Sequence, residues 1–324
     1  MMRLLTIFLC LLLGTFNDGL TQTNISVHDP VMIKQDSVYY LFCTGRGISV
    51  WSSKDMKSWQ REKQVFDTLP WGVKAVPGFK NHIWAPDISY HNGLYYLFYS
   101  VSAFGKNTSC IGMATTPTLH PADPAFHWTD HGKIIESIPG RDMWNAIDPN
   151  VIWDEQDQPW LAFGSFWNGL KLVKLNQSLT AIDTPQQWHT IASRKNNYYM
   201  PDSSAGDGAI EAPFIVKRGN YYYLFASIDY CCKGEQSTYK MITGRAEKLT
   251  GPYLDKAGIP LVKNGGTILL QGDKDWHGVG HNAVCTFDGI DYLVFHGYDA
   301  KDRGRSKLRM EKLDWTTGWP EVVR

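Results

Sequence analysis

One phrase recurs five times along this chain, and no other feature limits its fold so tightly. Residues 28–42 read HDPVMIKQDSVYYLF, residues 84–98 WAPDISYHNGLYYLF and residues 147–163 IDPNVIWDEQDQPWLAF. Residues 210–225 read IEAPFIVKRGNYYYLF and residues 281–295 HNAVCTFDGIDYLVF. Each copy opens on a polar or Pro-marked lead, runs through an apolar stretch, turns at Gly, Asn or Asp, and closes on an aromatic run. Gly219-Asn220 between two such runs is a hairpin signal, because both residues accept the positive φ of tight strand connections. Pro213 sits just ahead of its run, where no ladder N–H is required. The copies start roughly 60 residues apart, the last interval being longer, which is the kind of period that marks a repeat architecture.

Between copies lie further strand candidates, Ile48–Ser52, Ile111–Thr115, Leu170–Leu175 and Lys240–Arg245, followed by turn-rich pieces such as Ser53–Trp59 and Leu249–Tyr253. That makes about four short strands per repeat, and long helical periodicity is absent. The expected fold is all-β: a single five-bladed β-propeller over residues 23–324, whose radial repetition leaves only short edges. A β-sandwich of the same strands would not explain the period. The tail Ser306–Trp319 supplies outer strands of the fifth blade.

Ahead of the repeats, Arg3 and the ten-residue, largely apolar stretch Leu4–Leu13 have the make-up of a secretory signal, too short to span a bilayer. Residues 1–22 are therefore expected to be removed, with a cut between Gly14 and Thr23, and the mature chain to be secreted or periplasmic with no membrane span. The formal net charge is +0 and no basic run stands out, which argues against nucleic acid or an anionic membrane as a partner. Apart from Cys10 the cysteines are Cys43, Cys110, Cys231, Cys232 and Cys285, an odd count with two adjacent. That is no disulfide framework, and no pattern of zinc ligands accompanies it. Mostly buried thiols are expected, with room for one bridge.

In a propeller the innermost strand of each blade lines the axis and starts at one common face. Residues at the leads of the repeats therefore converge, however distant in sequence. The leads carry Asp29, Asp148, Glu211 and His281, with Ala85-Pro86-Asp87 in the second copy. A scaffold repeat would have similar residues at all five leads, whereas these differ in charge. Asp87 itself reads as a turn-capping Asp, since Ala85 matches Asp29. Carboxylates crowded into a partly desolvated pocket cannot all ionise freely, and a protonated carboxyl beside an ionised one is what glycoside hydrolysis uses. A lone His is ordinarily a satisfied core or turn residue; the lead position of His281 favours an axial role. Thirteen Trp and sixteen Tyr supply either a β-rich core or platforms for sugar rings.

Val27-His28-Asp29-Pro30, Trp84-Ala85-Pro86-Asp87, Asn145-Ala146-Ile147-Asp148-Pro149 and Ile210-Glu211-Ala212-Pro213 together resemble glycoside hydrolase family 43. Gly164-Ser165-Phe166-Trp167, Cys231-Cys232, Gly280-His281-Asn282 and Leu308–Trp319 narrow the resemblance to the endo-1,5-α-L-arabinanases, over essentially the whole mature chain. The resemblance implies an inverting hydrolase with its active site at one end of the propeller axis. Asp29 would be the general base, Glu211 the general acid, and Asp148 the residue that raises the acid's pKa and orients it. It further implies a calcium ion near His281, held largely through waters, although calcium ordinarily takes hard oxygen ligands. Gly105, Asn145 and Ser165 match substrate-binding positions. Trp84, Trp167 and Phe104 are candidates to stack on arabinose, with blade packing as the alternative for the two tryptophans. The implied partner is arabinan or an arabino-oligosaccharide, and the chain is expected to act as a monomer. The alternatives are an exo-acting α-L-arabinofuranosidase or β-xylosidase on the same fold, and a sugar-binding propeller without chemistry. Exo-acting members often add a β-sandwich domain, for which the residues up to Arg324 leave no room. Retention of all three acids speaks against the non-catalytic reading.

Overall fold

The structure is a computed structural model that describes residues 24–194 and 208–323 of the 324. The candidate signal segment, residues 1–22, lies outside the described residues. Five antiparallel sheets follow one another along the chain. Blade 1 is built from Val31–Gln35, Val38–Cys43, Ser49–Ser53 and Gln60–Arg61, and blade 2 from His82–His91, Leu94–Val101, Ser109–Thr116 and Thr129–Ser137. Blade 3 holds Asn150–Trp153, Pro159–Phe163, Leu170–Lys174 and Trp188–Ala192, and blade 4 Ile210–Arg218, Tyr221–Ile228, Lys240–Ala246 and Thr267–Gln271. Blade 5 comprises Trp276–Phe287, Ile290–Asp299, Arg305–Asp314 and Glu321–Val323. The strand order within each blade is the chain order, as the five-bladed propeller requires, and the tail does form the outer strands of blade 5. A two-residue strand, Gly45–Arg46, adds to the edge of blade 2 by pairing with His82 and Ile83.

Turn chemistry sets the hairpins. Asn92-Gly93 and Asp288-Gly289 both place two successive residues at positive φ, as the tightest strand connections demand. The aromatic that ends each copy of the phrase (Phe42, Phe98, Phe163, Phe225 and Phe295) is at most 1% exposed. These side chains stand on sheet faces and fill the spaces between neighbouring blades, where the apolar clusters lie. Side chains on the inner strands tie blade to blade. Oδ2 of Asp87 accepts from Val151 N–H at 2.7 Å and from the Asn150 amide at 3.3 Å, while Asn150 Oδ1 accepts from Ile215 N–H at 2.8 Å. Asp87 thus has the structural task expected of it, although the bond crosses blades instead of capping a turn. Blade 5 meets blade 1 through Ser26 Oγ donating to Ser306 O at 3.0 Å and Asp29 N–H donating to His296 Nδ1 at 3.2 Å.

Candidate active site

At or just before the inner strand of every blade, one non-glycine residue of the repeated phrase stands in the left-handed region. These are Asp29, Ala85, Asp148, Ala212 and His281, with φ between 42° and 59°. In blades 2, 4 and 5 the ladder slips at this point, which makes it a β-bulge. Such backbone is costly for residues other than Gly, on the order of 1–3 kcal/mol each, and persists where surrounding bonds over-determine it. Those bonds come from the preceding blade. Ala85 N–H donates to Thr44 Oγ1 at 2.8 Å, Asp148 N–H to Ser100 Oγ at 3.0 Å and His281 N–H to Ser227 Oγ at 2.8 Å. Each hydroxyl lies two residues beyond the buried Phe of its phrase, a position that Ser165 fills in blade 3.

Blade 4 departs from this pattern. Its left-handed residue is Ala212, so Glu211 stands one position earlier than the sequence alignment of leads placed it, in register with His28 of blade 1. The four prolines Pro30, Pro86, Pro149 and Pro213 mark the true register. With Ala212 at the bulge, Ser165 Oγ donates to Glu211 Oε2 at 2.7 Å, and Ala212 N–H donates to Asp148 Oδ2 at 3.2 Å. Two carboxylates on neighbouring blades are thereby fixed against the same turn of backbone.

Asp29 is held from three sides. Its Oδ1 lies 2.7 Å from His28 Nδ1, 3.0 Å from His281 Nδ1 and 3.7 Å from His296 Nδ1, and its Oδ2 accepts from Thr44 Oγ1 at 2.5 Å. Burial works against its charge, but His28 and His281 outweigh that and keep the carboxyl well below its ordinary pKa. Asp148 goes the other way. Burial raises it well above the carboxylate range, the nearby charges of Glu211 and Asp29 add to the effect, and His281 offsets part of it. Burial would lower His281, yet Asp29, Asp148 and Glu211 bring it up to about 9. Burial and its neighbours thus push the Asp29 and Asp148 carboxyls in opposite directions, with His281 standing against Asp29.

The family profile of glycosyl hydrolases family 43 matches residues 23–320. The chain belongs to this family. An extracellular exo-α-(1→5)-L-arabinofuranosidase of Cellvibrio japonicus is 52% identical over 92% of this chain and 86% of its own. An extracellular endo-α-(1→5)-L-arabinanase of Bacillus subtilis is 43% identical over 92% and 88%. Among solved structures, a Cellvibrio cellulosa α-L-arabinanase complexed with arabinohexaose superposes with a TM-score of 0.91 at 51% identity, covering 94% of this chain and 96% of that one.

The remaining candidates of this family-43 chain are distributed around the same face. Phe104 is 81% exposed on a turn with Gly105, whose φ of 71° suits a glycine. Asn145 is buried, its Oδ1 accepting from Ser109 Oγ at 2.6 Å. Ser165 is buried with its proton on Glu211, so its first task is to hold that carboxylate. Trp84 is half-buried and donates Nε1 to His82 Nδ1 at 3.0 Å, while Trp167 is buried on left-handed backbone beside Phe166. The sequence reading missed His28, Thr44, His296 and Tyr298, all of which reach Asp29 directly or through one residue; His28 was adjacent to a candidate and in register with Glu211. Among the described residues Cys231 and Cys232 form one bridge, and Cys43, Cys110 and Cys285 are buried thiols.

Donor chemistry limits what His281 could hold. Its Nδ1 faces Asp29, and Nε2 could take a cation only with the ring neutral, so that binding would displace a proton; the two clusters of potential ligand atoms found among the described residues centre on His28 instead. A calcium ion there would keep most of its shell as water.

Proposed function

We propose that this protein is an exported, monomeric endo-acting hydrolase of α-1,5-linked L-arabinan that works with inversion. The observation that carries the reading is geometric: Asp29, held by His28, His281 and Thr44, shares one end of the axis with Asp148 and Glu211, which are fixed against the same turn at Ala212. Asp29, kept as an anion by His28 and His281, takes a proton from the attacking water. Glu211, oriented by Ser165, delivers a proton to the leaving glycosidic oxygen. Asp148, through Ala212 N–H, keeps the acid's backbone in place. Inversion needs room for the water between base and acid, roughly 6.5–9.5 Å between carboxyls. A calcium ion with His281 Nε2 as its protein ligand would supply positive charge beside the carboxylates. Export fits the apolar segment Leu4–Leu13 and relatives that are named extracellular.

A second reading, exo action, is favoured by the name of the 52% identical Cellvibrio japonicus relative. A product profile decides between them. Early release of oligosaccharides from linear arabinan supports the endo reading; arabinose or one fixed short product from the first minutes supports the exo reading. The acid and base are separated by leaving group. Glu211→Ala should lose about 10²- to 10⁴-fold on arabinan but keep most turnover on an aryl arabinofuranoside whose leaving group needs no proton. Asp29→Ala should lose both. Near-normal hydrolysis of arabinan by either variant overturns the assignment.

A further inference from the structure

Four groups form a chain that ends on Asp29 and begins at the bridged pair Cys231–Cys232. Cys232 N–H donates to Tyr298 Oη at 2.7 Å, and Tyr298 Oη lies 2.8 Å from His28 Nε2. The other ring nitrogen of His28 lies 2.7 Å from Asp29 Oδ1. The chain has a direction. With the ring proton of His28 on Nδ1, facing Asp29, the Tyr298 hydroxyl, which already accepts from a peptide N–H, gives its own proton to Nε2. The His28 ring is also stacked on buried His296, with centroids 3.8 Å apart, so it slides only in its own plane. In that plane the Tyr298 hydroxyl is its stop, and Cys232 Sγ stands 3.8 Å from the same Nε2.

The bridge lies in the loop after Tyr221–Ile228 of blade 4, while Tyr298 comes from blade 5 and His28 from the strand start of blade 1. Cys232 sits at φ 67°, and the loop is closed behind it by Lys233 N–H donating to Ser237 Oγ at 3.0 Å and Tyr239 N–H donating to Tyr230 O at 3.1 Å. An eight-membered ring through two adjacent cysteines removes most of the torsional freedom of the peptide between them, and that peptide carries the N–H that Tyr298 accepts. Three buried free thiols elsewhere show that cysteine in this chain is not simply paired wherever it occurs.

We propose that the Cys231–Cys232 bridge and Tyr298 are positioning residues for the general base: the bridged peptide fixes Tyr298, Tyr298 fixes His28, and His28 aims Asp29 at the water. This rests on the reading of Asp29 as the base. Opening the bridge with a dithiol reagent transfers two electrons and two protons to the S–S bond; Cys231 and Cys232 become thiols and the reagent becomes its own disulfide. The freed peptide no longer fixes the hydroxyl, and turnover falls while the propeller stays folded.

The test uses the full-length protein under native conditions. It compares the oxidised protein, the dithiol-treated protein (with thiols counted before and after), Tyr298→Phe, the double variant Cys231→Ser/Cys232→Ser, and Asp29→Ala. The expected result is a fall in kcat of about 10- to 100-fold for Tyr298→Phe, a smaller fall in the same direction for the opened bridge, and little change in KM or Tm. Because a base is needed whatever departs, the loss should persist on an aryl arabinofuranoside with an activated leaving group. Reoxidation should restore the treated protein. If Tyr298→Phe turns over at the wild-type rate while Asp29→Ala is inactive, the positioning proposal is overturned and the base assignment stands. If Asp29→Ala is itself active, the reading beneath it fails. Should the bridge resist the reagent or the double variant not fold, Tyr298→Phe alone decides.

Discussion

Ser165 Oγ donates to Glu211 Oε2 at 2.7 Å in the one junction where the hydroxyl two residues past the buried Phe does not hold the next blade's backbone. In the three other junctions that have a hydroxyl, Thr44, Ser100 and Ser227 spend it on the N–H of the next blade's left-handed residue. A scaffold contact has been turned toward a carboxylate. Ser165→Ala should therefore reduce kcat on linear arabinan by about 10-fold, the range of one hydrogen bond to a charged group, with Tm nearly unchanged. On an activated aryl arabinofuranoside the loss should largely vanish, since the acid is then dispensable. Equal loss on both substrates would place Ser165 outside the acid's support.

Gly280 precedes the bulge of blade 5, and its lack of a side chain is what lets Tyr239 in. A Cβ there would lie 2.1 Å from the Tyr239 ring, which is almost wholly buried and stacked near His296. The backbone at Gly280 is not left-handed, so Gly280→Ala tests the close approach alone. The variant should lose about 1–3 kcal/mol of stability through overpacking and should also lose turnover, as the displaced ring presses on His296 and through it on His28. Chemical unfolding together with kcat reads both; unchanged stability would mean that the ring has somewhere to go.

The blades were legible because their signals are local. Alternation, turn residues and the closing aromatic all sit within about fifteen residues, and the period repeats them. Convergence of Asp29, Asp148 and His281 followed from the repeat alone. The register of Glu211 was misplaced by one because a bulge is a backbone event, and only the aligned prolines betray it. His296 and Tyr298 were illegible for a different reason. They act across the seam between the last blade and the first, so no neighbouring residue in sequence points to Asp29. The hydroxyls of Thr44, Ser100, Ser165 and Ser227 share one position of the repeat, which has no meaning until the blades are placed side by side.

The cation proposed at His281 is separable from that residue's contact with Asp29. His281→Ala would remove both, so the informative experiment leaves the chain intact. Exhaustive chelation of the wild-type protein should lower Tm and turnover, and added calcium should restore them. Metal analysis of the protein before chelation should find about one ion per chain. Full activity and unchanged Tm after chelation, with no metal in the untreated protein, would remove calcium from the account and leave His281 as a charged partner of Asp29.

Asp87 gives the pH dependence that can be read most directly, because it lies away from the reacting groups. Burial raises its pKa from 3.8 to about 7, against the hydrogen bonds from Val151 N–H, Asn150 and Ile88 N–H that favour the anion. A carboxyl raised on folding binds its proton more tightly in the native state. Its favourable contribution is complete below the unfolded pKa and is lost as pH rises through the folded one. Between those limits the unfolded chain gives up a proton that the folded chain keeps, so this residue makes the fold less stable with rising pH. Asp87→Asn keeps an oxygen for Val151 N–H and has no proton to lose. Relative to the wild type, the variant should gain stability steadily from about pH 4 to about pH 7, by up to roughly 4 kcal/mol at about 1.4 kcal/mol per pH unit, and run parallel to it above. Urea titrations of both proteins at four or five pH values measure the difference. A constant gap across that window would mean that Asp87 is ionised in the folded protein and that the bonds from blade 3 outweigh its burial.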